Sequence, residues 1–295
     1  MFPSFRSYPP CLRLAAVAIV AAITLASCEP TATQPTGPAA VFEKAREAFK
    51  SSQIDKALEL TDKLAASSPP VACTECARVL RAVIYTGELK SAKELAEAYG
   101  KGSEKSKNTR FQSAYRRLHN DNLQAAEKAV LNLAQTAHQI APAGEIPKEI
   151  TLEANFPTTE GPVEIPQLAK VEDGGWLEPD QQEVVAADSL RKGIDDALAD
   201  AVGGDRAKAR QALAGGSVKL QGVIFALFLT KELADGAVVF DRHHGRDSLK
   251  LKTICDEGDL TLKAAEALLK ETPDKDQEKE AKKLHDKLKT IRKDA

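Results

Sequence analysis

From Val41 to the C-terminus the apolar residues of this chain recur every three or four positions, a spacing that lines them along one face of a helix. No long alternating apolar–polar stretch competes with that pattern, so the chain has little to build a large sheet from. Composition agrees. Aromatics are scarce, with one Trp, four Tyr and nine Phe, while Ala, Leu, Lys and Glu dominate. Straight-chain residues and Ala lose little rotamer freedom in a helix. The expected fold class is all-α. Apolar and charged contents of 43% and 28% fit a globular body, and a net charge of −2 gives no reason to expect nucleic acid as a partner.

The spacing divides the chain. VFEKAREAFKSSQIDKALELTDKLAASSPP reads as two short helices broken at Ser51-Ser52-Gln53 and stopped by Pro69 and Pro70. The next helical segment is expected to break at Gly87 and end at Gly100. The third is expected to break near Asn120-Asp121-Asn122 and end at Pro142. Residues 142–180 hold six of the fifteen prolines and the sole tryptophan. Helices do not run through Pro at that density, so this stretch is a linker or an extended strap pinned by Ile165, Leu168 and Trp176.

Helical spacing returns over 181–295. Val184 to Val202 reads as one helix, and Gly204 to Ala209 as the turn of a further hairpin. LQGVIFALFL, Leu220 to Leu229, is apolar nearly all round and must be buried; ten residues are too few to span a bilayer. Asp247 or Ser248 is expected to cap a helix running toward Cys255, and another helix is expected over Leu260 to Leu269. In the charged tail, Ala281, Leu284, Leu288 and Ile291 share one stripe. A terminal helix capping the bundle is favoured over a self-associating zipper, since the stripe lasts barely two heptads.

The N-terminus has its own logic. Two cations and no acid precede the apolar run LAAVAIVAAITL, Leu14 to Leu25. That order is the order of a signal peptide, and the run spans only roughly 18 Å as a helix, short of the roughly 30 Å bilayer core. Leu25-Ala26-Ser27-Cys28 closes it. This segment resembles the lipobox of bacterial lipoproteins. The resemblance implies that residues 1–27 are removed and that Cys28 is acylated to become the anchored N-terminus. Residues 28–40, with EPTATQPTGPAA, are too poor in large apolar groups to pack and read as a flexible tether. Several acyl chains on one residue anchor more firmly than one. Glu29 is not the aspartate that retains lipoproteins at the inner membrane in some bacteria, which favours an outer-membrane location facing the periplasm.

Over residues 41–141 the three expected turns superpose, with Ala57, Ala92 and Ala126 at 35- and 34-residue spacings. This resembles tetratricopeptide repeats, whose period is 34 residues. Ala45 matches the small residue of the first helix, and Pro69 the terminating proline. The Trp and Gly-Tyr signatures are missing, and Leu80 stands where a small residue belongs. The resemblance implies helical hairpins presenting a groove to a protein partner, lined by Lys44, Arg81, Tyr85, Tyr115 and Arg116.

Two motifs remain. Cys73-Thr74-Glu75-Cys76 is a C-x-x-C pair outside the βαβ context of thioredoxin-like redox sites. It reads as a local disulfide, as two inert thiols, or as a redox or metal site. His243 and His244 are adjacent in a polar stretch between two helices. They are weak metal candidates, because neighbouring residues point in different directions. No nucleotide, hydrolase or metalloprotease motif occurs, so neither catalysis nor a cofactor is expected. The leading expectation is a lipid-anchored envelope scaffold or assembly factor. The alternatives are a periplasmic thiol-redox or metal-binding protein, and a structural protein self-associating through its tail helix.

Overall fold

The computed structural model describes residues 37–157, 165–244 and 248–294. The leader, Cys28 and the Asp247 capping position lie outside them. Among the described residues the fold is all-α, with ten helices and one two-stranded ribbon.

α1 (Pro38–Lys50) and α2 (Ile54–Ala65) form the expected first hairpin. The chain reverses at Ser51-Ser52-Gln53, where Ser52 takes a positive φ of 58°. α3 (Thr74–Lys105) and α4 (Thr109–Ile140) follow as the long antiparallel pair at the centre. At about 1.5 Å per residue each extends roughly 48 Å. Asn108 opens α4 by accepting the Arg110 backbone N–H at 2.9 Å, satisfying one of the unpaired donors of its first turn.

Two expected turns are therefore absent, and for identifiable reasons. Gly87 lies inside α3 and Asn120-Asp121-Asn122 inside α4. Asn122 is kept helical by its own side chain, whose Nδ2 donates to the Leu118 carbonyl at 2.8 Å. Gly87 is a contact point for another helix: a Cβ there would stand 2.5 Å from the Ile194 side chain. The second and third expected hairpins are thus single helices, and the tetratricopeptide-like alternation ends after Ala65. The aligned alanines Ala57, Ala92 and Ala126 are still buried, because they pack at helix contacts instead of following turns.

After α4 a single 3-10 turn (Pro142–Gly144) leads into β1 (Glu149–Leu152). β1 pairs antiparallel with β2 (Val218–Gln221), in the register Glu149 opposite Gln221 to Leu152 opposite Val218. The Gly222 N–H extends the ladder to the Lys148 carbonyl at 2.7 Å. α5 (Pro166–Glu172) starts on a proline, which costs nothing where the N–H would be unpaired anyway. Ile165, Leu168 and Trp176 pin the segment as expected, beside Leu95, Tyr99, Tyr115, Val171 and Leu177, in a core cluster separate from the main one.

α6 (Pro179–Val202) lies against α3, and Asp205 caps the short α7 (Arg206–Ala212) by accepting the Lys208 N–H at 2.9 Å. The chain then enters β2, so no full hairpin forms there. α8 (Gly222–His244) carries the apolar run into the main core, with Phe225, Leu229 and Leu233 fully buried. Each such side chain contributes about 1.5–3 kcal/mol relative to exposure. α9 (Ser248–Glu271) is one helix where two were expected. α10 (Lys275–Asp294) lays Ala281, Leu284, Leu288 and Ile291 on α8 and α9. It caps the bundle, and the stripe a zipper would need is already covered.

Candidate binding groove

α2, α3, α4 and α6 surround a groove of about 450 Å³. Its lining mixes small residues, Ala92, Ala125, Ala129 and Ala186, with the amides Asn122 and Asn132 and with larger leucines such as Leu58, Leu95 and Leu190. Small residues on α3, α4 and α6 leave the space that a larger set would fill.

The α2–α3 wall is fixed by Arg81. Its Nη2 donates to the Tyr85 hydroxyl at 2.6 Å, its Nη1 to the Leu58 carbonyl at 3.0 Å, and it lies 3.3 Å from Asp62. The guanidinium also sits 5.3 Å from the Tyr85 ring centroid, within cation–π range. Burial raises the Tyr85 hydroxyl pKa, so Tyr85 enters the groove neutral.

One turn further along α3, Glu88 shares the Tyr85 face. Its carboxyl has no hydrogen-bond or ion-pair partner at contact distance among the described residues. Burial raises its pKa first and the charge of Asp55 raises it further, while Lys128 and Arg81 oppose them without prevailing. The result is a carboxyl pushed up to about 7. An unpaired, mostly buried acid facing an open groove is a functional-site signature more than a stabilising device. The one serine of the lining, Ser91, is already engaged: it donates to Ser189 Oγ at 2.9 Å, and Ser189 donates to Glu94 at 3.0 Å. The arrangement is equipped to bind.

The expected site residues scatter. Arg81 and Tyr85 stand together, Tyr85 on the groove wall and Arg81 behind it holding its hydroxyl. Lys44 is exposed on α1 and Arg116 exposed on α4. Tyr115 is fully buried in the second cluster, where its hydroxyl donates to the Gly175 carbonyl and its ring lies 5.4 Å from Trp176. It packs against Gly102, roughly 25 Å along α3 from Tyr85 at about 1.5 Å per residue. The five residues do not form one groove. The expectation placed them by repeat position, and the uninterrupted helices change which faces meet. Glu88 was missed because the sequence treats Gly87-Glu88 as a turn, where an acid is unremarkable.

Cys73 caps α3 in a left-handed conformation, φ 66°, and Cys76 lies in the first turn; both are free thiols. Cys76 Sγ donates to Glu153 Oε1 at 3.5 Å. Burial first, and then Glu153, push the Cys76 thiol up to about 12, and the same two causes raise Cys73. That is the reverse of a redox thiol, which a positive environment makes acidic. His243 and His244 fall in the last turn of α8 and not in a loop. Among the described residues no three His, Cys, Asp or Glu side chains gather as a metal site, and no helix is long and apolar enough to cross a membrane. Comparison of the chain with known proteins gives no match to a family model, to a characterised sequence or to a solved structure.

Proposed function

We propose that this chain is a lipid-anchored cell-envelope protein whose helical body holds a protein partner in the α2–α3–α4–α6 groove, as a scaffold or assembly factor. The observation that carries the binding half is Glu88: a carboxyl desolvated to near-neutral pKa, with no partner at contact distance, opening onto about 450 Å³ of space. A lysine or arginine side chain from a partner supplies the missing counter-charge, and Asn122 and Asn132 can pair with a peptide backbone. The anchoring half rests on the sequence Leu25-Ala26-Ser27-Cys28 and the tether that follows it.

Ala125 and Ala186 line the groove yet are exposed, so a bulky residue at either blocks it without entering the core. Cross-linked envelope preparations should yield a partner with the native chain and with Arg116→Ala, and lose it at least about tenfold with Ala125→Trp or Ala186→Trp. Equal recovery from all four rejects the groove. For the anchor, intact mass of the membrane fraction reports acylation at Cys28. A Cys28→Ser chain that is processed and retained as before rejects it.

A further inference from the structure

The cations of α10 fall into two sets. Lys287 and Arg292 turn toward the bundle: Lys287 Nζ pairs with Asp235 of α8, and Arg292 Nη2 lies 2.6 and 2.7 Å from Asp256 and Asp259 of α9. Lys275, Lys279, Lys282, Lys289 and Lys293 turn the other way. At about 100° per residue they fall within roughly 40° of a single line along the helix, a line roughly 27 Å long. None of the five makes an ion pair among the described residues. Lys283 borders the line and lies 3.6 Å from Glu280. Asp286 is the one acid on the line, and Glu278 flanks it.

Some exposed lysines elsewhere meet an acid. Lys101 reaches Glu172 at 2.9 Å, Lys105 reaches Asp173 at 3.3 Å, and Lys219 reaches Glu149 at 3.1 Å. Others, such as Lys50, Lys56, Lys170 and Lys252, make no ion pair among the described residues. What sets α10 apart is the alignment of its unpaired lysines along one line. Nor can α10 roll to find partners for its outer row, because Ala281, Leu284, Leu288 and Ile291 on the opposite side are buried. In a chain of net charge −2 the fold thus holds a straight cationic row outward, broken on its line only by Asp286.

We propose that this row docks α10 flat on an anionic lipid surface. A row parallel to the helix axis matches a plane, and lysines near an anionic membrane each add to attraction that falls off within a Debye length. Lysine is a point charge suited to that diffuse field. Arginine, which grips phosphates in bidentate fashion, is absent from the row, and the helix's Arg292 is occupied by Asp256 and Asp259. No Phe, Tyr or Trp is present on α10 to stack on a base, and His285 lies to the side of the lysine line, which disfavours single-stranded nucleic acid. The choice of lipid as occupant rests on the reading of Cys28 as an anchor, which keeps the body near a membrane and raises the effective concentration of the contact.

The test uses the full chain with two vesicle compositions, phosphatidylcholine alone and phosphatidylcholine with phosphatidylglycerol. Binding to the neutral vesicles reports the N-terminal anchor, is common to all variants, and fails or succeeds independently of the row. The expected result is at least about tenfold tighter binding to the anionic vesicles at about 0.1 M salt, lost at about 1 M, where the Debye length is about 3 Å. Lys279→Glu/Lys282→Glu/Lys289→Glu should remove that excess, and the milder Lys279→Gln/Lys289→Gln should reduce it several-fold. Lys101→Glu/Lys105→Glu, distant in sequence and in net charge equivalent to a double reversal, should leave it intact. Circular dichroism and the urea midpoint check that each variant is folded. No excess on anionic vesicles, an excess the α10 variants leave unchanged, or equal capture of duplex DNA through the same lysines would each overturn the proposal.

Discussion

Gly193 of α6 stands directly on the Gly87 carbonyl of α3: a Cβ at position 193 would lie 2.4 Å from that oxygen. From the other side, a Cβ at Gly87 would lie 2.9 Å from the Ile194 backbone. The two helices touch through backbone, and neither position accepts a side chain without moving the other helix. Replacing Gly by Ala inside a helix ordinarily stabilises by about 1 kcal/mol through propensity, while overpacking against rigid backbone costs about 1–3 kcal/mol or more. The clash should win. Gly193→Ala is expected to lower the unfolding free energy by about 1–3 kcal/mol in urea titrations, and a gain in stability would show that the crossing yields.

Glu88 makes a pH-dependent prediction with a definite sign. Its folded pKa of about 7 exceeds the ordinary 4.5, so the folded state holds a proton that the unfolded chain releases. Its favourable contribution is complete below pH 4.5 and is lost as pH rises toward 7. Glu88→Gln removes the ionisable group while keeping the volume. The variant should therefore be more stable than the native chain at pH 8, by about 1–3 kcal/mol, and equal to it near pH 4. The crossover is read from urea midpoints across that range, and a pH-independent difference contradicts the raised pKa. A residue that destabilises its own fold at neutral pH is what a binding site tolerates.

Much of the fold was legible where one segment decides its own fate. Ser51-Ser52-Gln53 breaks a helix because the residues after it restart an amphipathic pattern. Most of the Leu220 to Leu229 run had to be buried because it shows almost no polar face, and the Ala281–Ile291 stripe needed a surface to lie on. Leu220 and the exposed Gln221 join β2, however, and the helix begins at Gly222. Gly87 and Asn120–Asn122 were misread because the same residues serve turns and helices alike. Only the presence of Gly193 opposite Gly87, and the bond from Asn122 back to Leu118, decide between them. The β1–β2 pairing was likewise unreadable, since two four-residue strands carry little pattern and their partners lie far apart in sequence. The groove was half legible: Arg81 and Tyr85 were named, whereas the desolvation of Glu88 comes from three other helices.

The C-x-x-C pair should behave as a poor nucleophile. Cys76, raised to about 12 by burial and by Glu153, has almost no thiolate at pH 8, whereas an ordinary thiol with pKa about 8.5 is partly ionised there. Iodoacetamide should alkylate Cys76 at pH 8 at least about tenfold more slowly than it alkylates a free cysteine in an unfolded peptide. Glu153→Gln removes one of the causes and should speed the reaction, though not to the free rate, because burial remains. Mass spectrometry of the modified peptide distinguishes Cys76 from Cys73. A rapid native reaction, equal to that of the peptide, would refute the assignment.

Lys90 ties three helices through two acids. Its Nζ lies 2.9 Å from Asp200 Oδ2 of α6 and 3.0 Å from Glu232 Oε1 of α8, and the Glu232 side chain is only 2% exposed. Lys231 reaches the same acids at 2.9 and 3.5 Å but is itself more exposed. Burial still raises the Glu232 pKa despite both cations, so its charge is held at a cost. Losing the closer, more buried partner leaves that charge to Lys231 alone, and stranding one member of a buried pair costs about 3–5 kcal/mol. Because Lys231 compensates in part, Lys90→Met should cost about 2–4 kcal/mol, and Lys231→Met clearly less, about 1 kcal/mol. Adding Glu232→Gln to Lys90→Met removes the stranded charge and should recover part of the loss. A double-mutant cycle in urea measures that coupling, and additive single effects would show that Glu232 does not depend on Lys90.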